Sequence, residues 1–428
     1  MNCKMNLTPE EQGILNGEQG ETMQKVMRSL VMYGDAFGAK RFVPVTGKGH
    51  LVTSFGISVL KPVFSIMDEL IAAGLKVDET FTVDPRPLDY ENVKCNPLEK
   101  LIFNKMMYGM QDPYEEQLKK LGLKSDKAFT CTCYMDEVGN EPKKGDVLSW
   151  AESSAVVYAN SVLGARCNRN SGIIELFGSI LGKVPEFDLL TGEGRRAKWI
   201  VEVKTSKKPE AQILGSAIGM KVMEDVPFIK GLDKWIGSEL DNAARDYLKD
   251  MGAASASNGA VGLYHVENLT PEAEELGERL IAQGAQTYVI DDAELARVKA
   301  GYPCVWRDKD AKAKLCFIGC PHLSLNQLNA WTDSLCGALQ AQGRRKVAIP
   351  TVFTAASGVL DAFEKTENSL KLKNAGVVVS YICPLMYMNN PLCGKTPVIT
   401  NSNKLRTYTS ARYYSDAEIL KRISGEVR

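Results

Sequence analysis

Three cysteines share one sequence setting, at or just after the end of a short apolar run: Cys131, Cys320 and Cys383. The last two are followed at once by proline, which fixes φ and directs the chain away after the sulfur. Ligands of open α/β sheets bind just beyond the carboxyl ends of strands, so three thiolates from distant segments are a reasonable iron–sulfur site. Periodicity does not show that the three sulfurs converge, and a packed core thiol is the alternative for each of them.

Other metal and phosphate patterns are weaker. Cys131 and Cys133 form a Cys-x-Cys pair without a second pair at zinc-finger spacing, although His322 could complete a zinc site. Residues 47–50 are glycine-rich but lack the spacing and ending of a nucleotide-binding P-loop. We expect a tight turn there that presents backbone N–H groups and His50 to an anion.

Two polar segments could contact a substrate. Residues 400–404 gather hydroxyls, amides and an ammonium group shortly after Cys383, and such a loop suits a carboxylate substrate. Residues 152–161 place Ser and Asn side chains at both ends of a helix predicted over 150–163. The alternatives are a solvated turn for the first segment, and helix caps and surface for the second.

The composition narrows the class of protein. A chain of 428 residues has room for two large domains or about three average ones. Its 52 basic and 52 acidic residues balance, which argues against nucleic acid or an anionic membrane as the main partner. The N-terminus lacks a signal-peptide layout, and the longest apolar stretch, 376–388, is too short for a bilayer. With 11 cysteines and no export signal, we expect a soluble cytoplasmic protein.

The elements that must position these residues alternate between strand and helix. A capping box at Thr8–Glu11 starts a helical N-terminus with a stop expected at Gly34. Buried strands are predicted at 260–266, 287–290, 315–319, 347–353 and 376–382. Helix starts at Thr270, Asp291 and Ser324 separate them, so the fold class is α/β with mostly parallel sheets.

No fixed repeat or flexible linker divides the chain, so we expect interleaved domains. Residues 1–205 plus 384–428 are predicted to form a substrate- and cluster-binding region. Residues 206–383 are predicted to form a second α/β domain that carries two of the cysteines at strand ends.

In order along the chain, these segments resemble the large subunit, or catalytic domain, of the aconitase X family. Each match is short, but several occur in the right order over nearly the whole chain. The matching segments are residues 7–11, 15–18, 130–132, 152–156, 158–161, 164–166, 319–322, 383–384 and 401–402, with Tyr134 and Lys404.

The resemblance implies an aconitase-like fold and a hydro-lyase, a dehydratase that carries a [4Fe–4S] or [2Fe–2S] cluster. Its metal ligands would be Cys131, Cys320 and Cys383, the general base Ser402, and the catalytic cation Lys404. The implied substrate contacts are His50, Val52, Thr53, Ser54, Asp84, Pro85, Asn160, Ser161 and Lys404.

Two departures from the family pattern concern cysteines. Cys133 stands where many relatives have proline and Cys167 where many have threonine, so either could be an alternative ligand and the cluster type stays open. The small swivelling domain of the superfamily also has no counterpart in the chain. We therefore expect a separate small subunit, a heterodimer, and an incomplete active site on this chain alone.

Two substrates are known in the family: cis-3-hydroxy-L-proline and, in archaea, (R)-5-phosphomevalonate. In the phosphomevalonate enzymes of the family, the position that matches Asp84 looks like asparagine. A carboxylate repels a phosphate and attracts an ammonium group, which favours the hydroxyproline. A cluster-free binding or scaffold subunit is the alternative from another functional class.

Overall fold

The computed structural model describes residues 3–93, 95–389 and 393–426. Its α-helices are α1 (Pro9–Asn16), α2 (Glu21–Ala36), α3 (Lys61–Ala72), α4 (Pro97–Ile102), α5 (Gln111–Leu121), α6 (Ser153–Ser161), α7 (Ile174–Leu181), α8 (Ala211–Val222), α9 (Asp233–Ile236), α10 (Asn242–Gly259), α11 (Pro271–Leu276), α12 (Asp292–Ala300), α13 (Leu325–Ala341), α14 (Ser357–Phe363), α15 (Glu367–Asn374), α16 (Pro384–Met388), α17 (Asn403–Tyr408) and α18 (Asp416–Ser424). Its strands are β1 (Phe42–Pro44), β2 (His50–Leu51), β3 (Thr82–Val83), β4 (Lys183–Pro185), β5 (Ala197–Val203), β6 (Pro227–Lys230), β7 (His265–Val266), β8 (Ile281–Ile290), β9 (Leu315–Leu323), β10 (Thr351–Ala355), β11 (Val377–Ser380), β12 (Val398–Thr400) and β13 (Arg412–Tyr413).

Two parallel sheets form the framework. The four-stranded sheet has the order β7-β6-β5-β8, and the five-stranded sheet has the order β11-β10-β9-β12-β13. Every neighbouring pair in both sheets is parallel. Closer to the N-terminus, β2 and β3 form a parallel pair and β1 and β4 an antiparallel one. The α/β class with mostly parallel sheets is confirmed.

All five predicted strands form with shifted bounds, and β8 begins six residues earlier than predicted, at Ile281. β10 begins at Thr351, directly after Pro350, which has no N–H to give to a sheet. β9 continues past Gly319 to Leu323, so Cys320 lies within the strand. Of the predicted strand 260–266 only His265 and Val266 pair, because Ala260 takes a left-handed φ of 82° at the end of α10.

The predicted helix starts are confirmed. Thr8 and Glu11 form the capping box of α1, and Ser324 and Gln327 form that of α13. α2 continues past Gly34 to Ala36, and α6 is shorter than predicted because Glu152 caps it. No helix within the described residues is long and apolar enough to cross a membrane.

Helices α8 and α10 cross very closely beside the four-stranded sheet. A Cβ added to Gly259 would lie 2.0 Å from the Gly219 carbonyl oxygen, so both positions require the bare backbone of glycine. α10 also packs on α6 and supplies Lys249 to the segment after Cys320.

The five-stranded sheet contains strands from both sides of residue 383, so both regions of the predicted domain division contribute to it. The division itself remains a prediction.

Candidate active site

Two strand edges carry the predicted residues toward one another. In the five-stranded sheet, Cys320 lies near the end of β9, Cys383 lies three residues after β11, and Ser402 lies two residues after β12. All three strands are parallel, so these residues belong to the same carboxyl edge of the sheet.

The second edge comes from the N-terminal part. β2 and β3 end at Leu51 and Val83, so Val52 and Asp84 follow directly. Phe129 pairs with Val83 and Trp150 pairs with His50 as isolated parallel bridges. These bridges bring Cys131 and Glu152, each two residues further on, to this edge.

Hydrogen bonds join the two edges. The Cys383 N–H donates to the Arg86 carbonyl at 2.8 Å, and the His322 N–H donates to the Cys131 sulfur at 3.4 Å. The Lys404 ammonium donates to the Glu152 carboxylate across the same boundary. The site therefore lies between the five-stranded sheet and the N-terminal strand pair.

The three sulfurs share one electrostatic environment. Burial and, to a smaller extent, the neighbouring Cys320 sulfur raise the pKa of the Cys383 thiol to about 12. Burial also raises the pKa of Cys131 and Cys320, and at all three cysteines the Lys404 ammonium opposes this rise. Without a bound cation the thiols are therefore protonated at neutral pH, and a cation that replaces their protons would relieve the cost of burying thiolates.

Soft sulfur donors of this kind suit an iron–sulfur cluster, and their chemistry fits that group. Within the described residues, no three His, Cys, Asp or Glu side chains converge as they would on a single metal ion. That arrangement belongs to a mononuclear site, whereas the thiolates of a cluster bind different iron atoms and stand further apart. The zinc alternative lacks a ligand, because both ring nitrogens of His322 are hydrogen-bonded to other groups.

A buried ion pair lies at the centre of the site. The Lys404 side chain is 14% exposed and that of Glu152 is 5% exposed. Burial opposes charge on both groups, yet their mutual attraction lowers the pKa of Glu152 and raises that of Lys404. The sulfurs of Cys320 and Cys131 raise the pKa of Lys404 as well. Both groups are therefore charged at neutral pH.

Glu152 was not among the predicted site residues. Its other carboxylate oxygen accepts from Ser154 Oγ and from the Ala155 N–H, both at 2.6 Å, and so caps α6. Glutamate at a helix N-cap is unusual, and this is the sequence feature that could have marked Glu152 as a candidate site residue.

Asp84 and His50 form a second buried pair. His50 Nε2 lies 3.4 Å from Asp84 Oδ1, while His50 Nδ1 contacts Thr82 Oγ1 at 2.9 Å. Neither Nε2 nor Oδ1 has a hydrogen-bond partner within the described part of the chain. Burial raises the pKa of Asp84 to about 6, and Glu152 raises it while His50 lowers it. Burial lowers the pKa of His50, but Cys133 and Asp84 outweigh it and raise that pKa to about 10.

A strained turn follows β2. Val52 and Thr53 donate their N–H groups to Glu175 Oε1 at 3.2 and 3.1 Å, and Thr53 has a positive φ of 42°. Burial raises the pKa of Glu175 to about 7. The Ser54 hydroxyl accepts from the Gly56 N–H at 3.2 Å, so Glu175 and Ser54 hold the turn from opposite sides. Pro85 is buried beside Asp84.

Ser402 caps α17. Its hydroxyl accepts from the Leu405 N–H at 3.1 Å and donates to the Cys320 carbonyl oxygen. The hydroxyl is buried next to the cysteine and the lysine that the resemblance groups with it.

The side chains of Asn160 and Ser161 form hydrogen bonds with backbone groups inside the protein. Asn160 Nδ2 donates to the carbonyls of Cys167 and Gly262, both at 2.8 Å, and its Oδ1 accepts from the Cys167 N–H. Ser161 Oγ accepts from the Tyr264 N–H at 2.9 Å. These bonds fix the C-terminal end of α6 to neighbouring segments. The role of Asn160 and Ser161 as substrate contacts remains a prediction.

The two additional cysteines are both buried. Cys133 lies beside His50, whose pKa it raises. Cys167 accepts from the Trp150 N–H at 3.4 Å and donates to the Asn168 carbonyl at 3.1 Å, and burial raises its pKa to about 12. These contacts place Cys167 in the core around Trp150.

Comparison with known proteins decides the family. Residues 4–193 match the family model of the aconitase X first domain, and residues 197–300 match that of the aconitase X second domain. The chain belongs to the aconitase X family. The recognition made from the sequence is confirmed.

Relatives within the aconitase X family carry two different names. The chain is 32% identical to the phosphomevalonate dehydratase large subunit of Thermococcus kodakarensis, over 94% of this chain and 95% of that one. It is 25% identical to the cis-3-hydroxy-L-proline dehydratase of Hypocrea jecorina, over 97% of this chain and 67% of that one. The holo-form crystal structure of aconitase X from Thermococcus kodakaraensis superposes with a TM-score of 0.78 at 29% identity, covering 98% of this chain and 100% of that one.

These relatives are dehydratases, so the chain is a lyase of the aconitase X type. This speaks against the alternative of a non-enzymatic scaffold subunit.

Proposed function

We propose that the chain is the large subunit of an iron–sulfur hydro-lyase that dehydrates cis-3-hydroxy-L-proline. One observation carries the choice of substrate: Asp84 Oδ1, at the edge where Lys404 and Glu152 meet, is a buried acceptor that lies 3.4 Å from His50 Nε2 and receives no hydrogen bond from the described residues. A buried carboxylate oxygen left in this state is costly. The ammonium group of an amino-acid substrate would supply the missing donor.

The cations around the site support the same choice. Lys404 pairs with Glu152, and His50 lies 3.4 Å from Asp84. The Arg86 guanidinium is held by Glu115 through two bonds of 2.7 Å and lies 3.9 Å from the centre of the Phe129 ring. Each of these cations lies beside a carboxylate, so a doubly charged phosphate would be repelled more strongly than the single carboxylate of an amino acid, whose ammonium group is attracted.

Cys131, Cys320 and Cys383 would hold the cluster, which when bound supplies an iron Lewis acid for the leaving hydroxyl group. The type of cluster, [4Fe–4S] or [2Fe–2S], is left open by these residues.

The chain's own residues would orient the substrate and move the proton. Asp84 would bind the substrate ammonium, and Lys404 would face the substrate carboxylate. Ser402 Oγ would remove the proton from the carbon next to the hydroxyl-bearing one. A serine alkoxide needs stabilisation, and the Leu405 N–H and the charge of Lys404 provide it.

Phosphomevalonate is the second candidate substrate. The relative from Thermococcus kodakarensis favours it, since that large subunit is 32% identical to this chain and aligns over 95% of its own length. In that case a small subunit would have to supply the cations that bind the phosphate.

A separate small subunit is part of this proposal. Relatives that this chain covers almost completely are named large subunits, whereas about a third of the Hypocrea jecorina enzyme has no counterpart here. We expect this heterodimer to be cytoplasmic, because a reducing compartment would keep Cys131, Cys320 and Cys383 as thiols that a cluster can use.

The test is a substrate assay on the chain co-expressed with its small subunit and purified without oxygen. Dehydration of cis-3-hydroxy-L-proline, with no turnover of (R)-5-phosphomevalonate, is the expected result. Turnover of phosphomevalonate alone would overturn the choice of substrate and leave the dehydratase class intact. Absence of iron and acid-labile sulfide from the purified complex would overturn the iron–sulfur assignment.

A further inference from the structure

We propose that His322 is a positioning residue that ties together the three segments that carry Cys131, Cys320 and Cys383. This inference rests on the proposed function, because it gives those segments a common purpose. His322 lies two residues after Cys320 and is 1% exposed.

The imidazole ring bridges the other two cysteine segments. Its Nε2 donates to the carbonyl oxygen of Ile382, the residue before Cys383, at 3.0 Å. Its Nδ1 lies 3.0 Å from the hydroxyl oxygen of Thr130, the residue before Cys131. One ring therefore sets the separation of two backbone segments that each end in a candidate ligand.

The backbone of His322 adds two further ties. Its N–H donates to the Cys131 sulfur at 3.4 Å. Its carbonyl oxygen accepts from the buried Lys249 ammonium at 2.9 Å, which fixes the residue to α10. All four polar groups of His322 are thus engaged, and three of them point to the cysteine segments.

The hydrogen bonds also define one tautomer. A carbonyl oxygen only accepts, so Nε2 carries the proton and Nδ1 of the neutral ring accepts from the Thr130 hydroxyl. Thr130 Oγ1 in turn accepts from the Thr132 N–H at 3.0 Å and lies 3.1 Å from Thr132 Oγ1. The chain of bonds continues past Cys131, so the ring orders both sides of that residue.

Metal ligands are commonly held by outer hydrogen bonds, and losing one typically costs 10–100-fold in metal affinity. Here the hydrogen bonds of His322 hold the segments that carry the ligands, and His322 is not itself a ligand. Replacing His322 should therefore separate the thiols in the protein without metal, before any cluster binds.

Three variants test this: His322→Leu, which removes both ring bonds, His322→Gln, which keeps a donor that can reach Ile382, and Thr130→Val, which removes only the Nδ1 partner. The first readout is the iodoacetamide alkylation rate of Cys131 and Cys383 in the metal-free protein, located by mass spectrometry, with Cys3 as internal reference. The second is iron and acid-labile sulfide per chain after anaerobic reconstitution. The melting temperature of each metal-free variant reports global folding.

We expect His322→Leu to speed alkylation of Cys131 and Cys383 about tenfold and to lower iron content about tenfold, with Cys3 unchanged. His322→Gln should restore most of both, and Thr130→Val should fall between. If His322→Leu does not fold, Thr130→Val decides by the same readouts. Wild-type alkylation rates and iron content in His322→Leu, or in Thr130→Val if it decides, would overturn the inference. A wild type that binds no cluster would instead overturn the proposed function, and the alkylation arm would still test His322.

Discussion

The proposed choice of substrate depends on one oxygen atom of Asp84. Asp84 Oδ1 is buried and accepts no hydrogen bond from the part of the chain that the structure describes, and we assign it to a substrate ammonium. Replacement by asparagine keeps the shape and removes the charge. Loss of a charged hydrogen bond of about 1.5–3 kcal/mol predicts that Asp84→Asn lowers kcat/KM for cis-3-hydroxy-L-proline about 10–100-fold.

Steady-state kinetics of the two-subunit enzyme measure this effect. Glu11→Gln is a matched control, since Glu11 is also a buried carboxylate paired with a cation, Lys183, but lies in α1. An unchanged kcat/KM in Asp84→Asn would show that Asp84 does not bind the substrate.

His265 gives a prediction about stability and pH. Burial lowers its pKa to about 4, while the Arg195 carbonyl that accepts from its Nε2 at 2.9 Å raises it. The folded protein therefore holds a neutral ring below the ordinary pKa of 6.5, where the unfolded chain binds a proton. The contribution of neutral His265 to the free energy of unfolding is complete above pH 6.5 and is lost as the pH falls toward 4. Between pH 8 and pH 5 it amounts to about 2 kcal/mol.

His265→Gln keeps a donor for Arg195 but does not titrate. Urea midpoints at pH 8 and pH 5 should show the variant gaining about 2 kcal/mol relative to wild type at the lower pH. A difference between the two proteins that is the same at both pH values would contradict a neutral buried His265.

At the scale of single elements, the sequence predicted local features well and pairings poorly. The capping boxes of α1 and α13 depend on residues three positions apart, and both form. Strands β9, β10 and β11 were recognisable as apolar runs. The alternating strand β5 and its partner β6 lie in a stretch for which no strand was predicted.

The site shows the same limit. All three cysteines could be found because each follows an apolar run. Cys320 and Cys383 follow or lie in strands of the five-stranded sheet, whereas Cys131 follows Phe129, which pairs with Val83 as an isolated bridge. The pairing of Lys404 with Glu152 joins residues 252 positions apart, and no local pattern predicts it. Only packing of the two strand edges brings these charges together.

Ser402 combines a helix cap with the proposed base, and two variants separate these roles. Ser402→Ala should cost about 1 kcal/mol of stability as a lost cap. Ser415→Ala, which removes the capping hydroxyl of α18, should cost about the same.

Activity distinguishes them. Ser402→Ala should lower kcat about 10²–10⁴-fold because the proton acceptor is lost, whereas Ser415→Ala should retain kcat. Thermal melts and steady-state rates on the same preparations provide both readouts. Equal activity of the two variants would assign Ser402 a structural role only.

At the scale of the whole molecule, the fold brings together residues from both ends of the chain. The N-terminal strand pair supplies Cys131, Asp84 and Glu152, and the five-stranded sheet supplies Cys320, Cys383 and Lys404. Neither part holds the three sulfurs alone. The proposed site therefore needs both parts in register. The similarity to relatives in the aconitase X family likewise extends over nearly the whole chain.

The most direct test is the iron and acid-labile sulfide content of anaerobically purified protein, measured with its visible absorption. Cys131→Ser, Cys320→Ser and Cys383→Ser should each lose the cluster absorption, while Cys3→Ser and Cys336→Ser should retain it. Any of the first three variants that holds as much iron and sulfide as the parent protein would contradict the claim that these sulfurs bind one cluster.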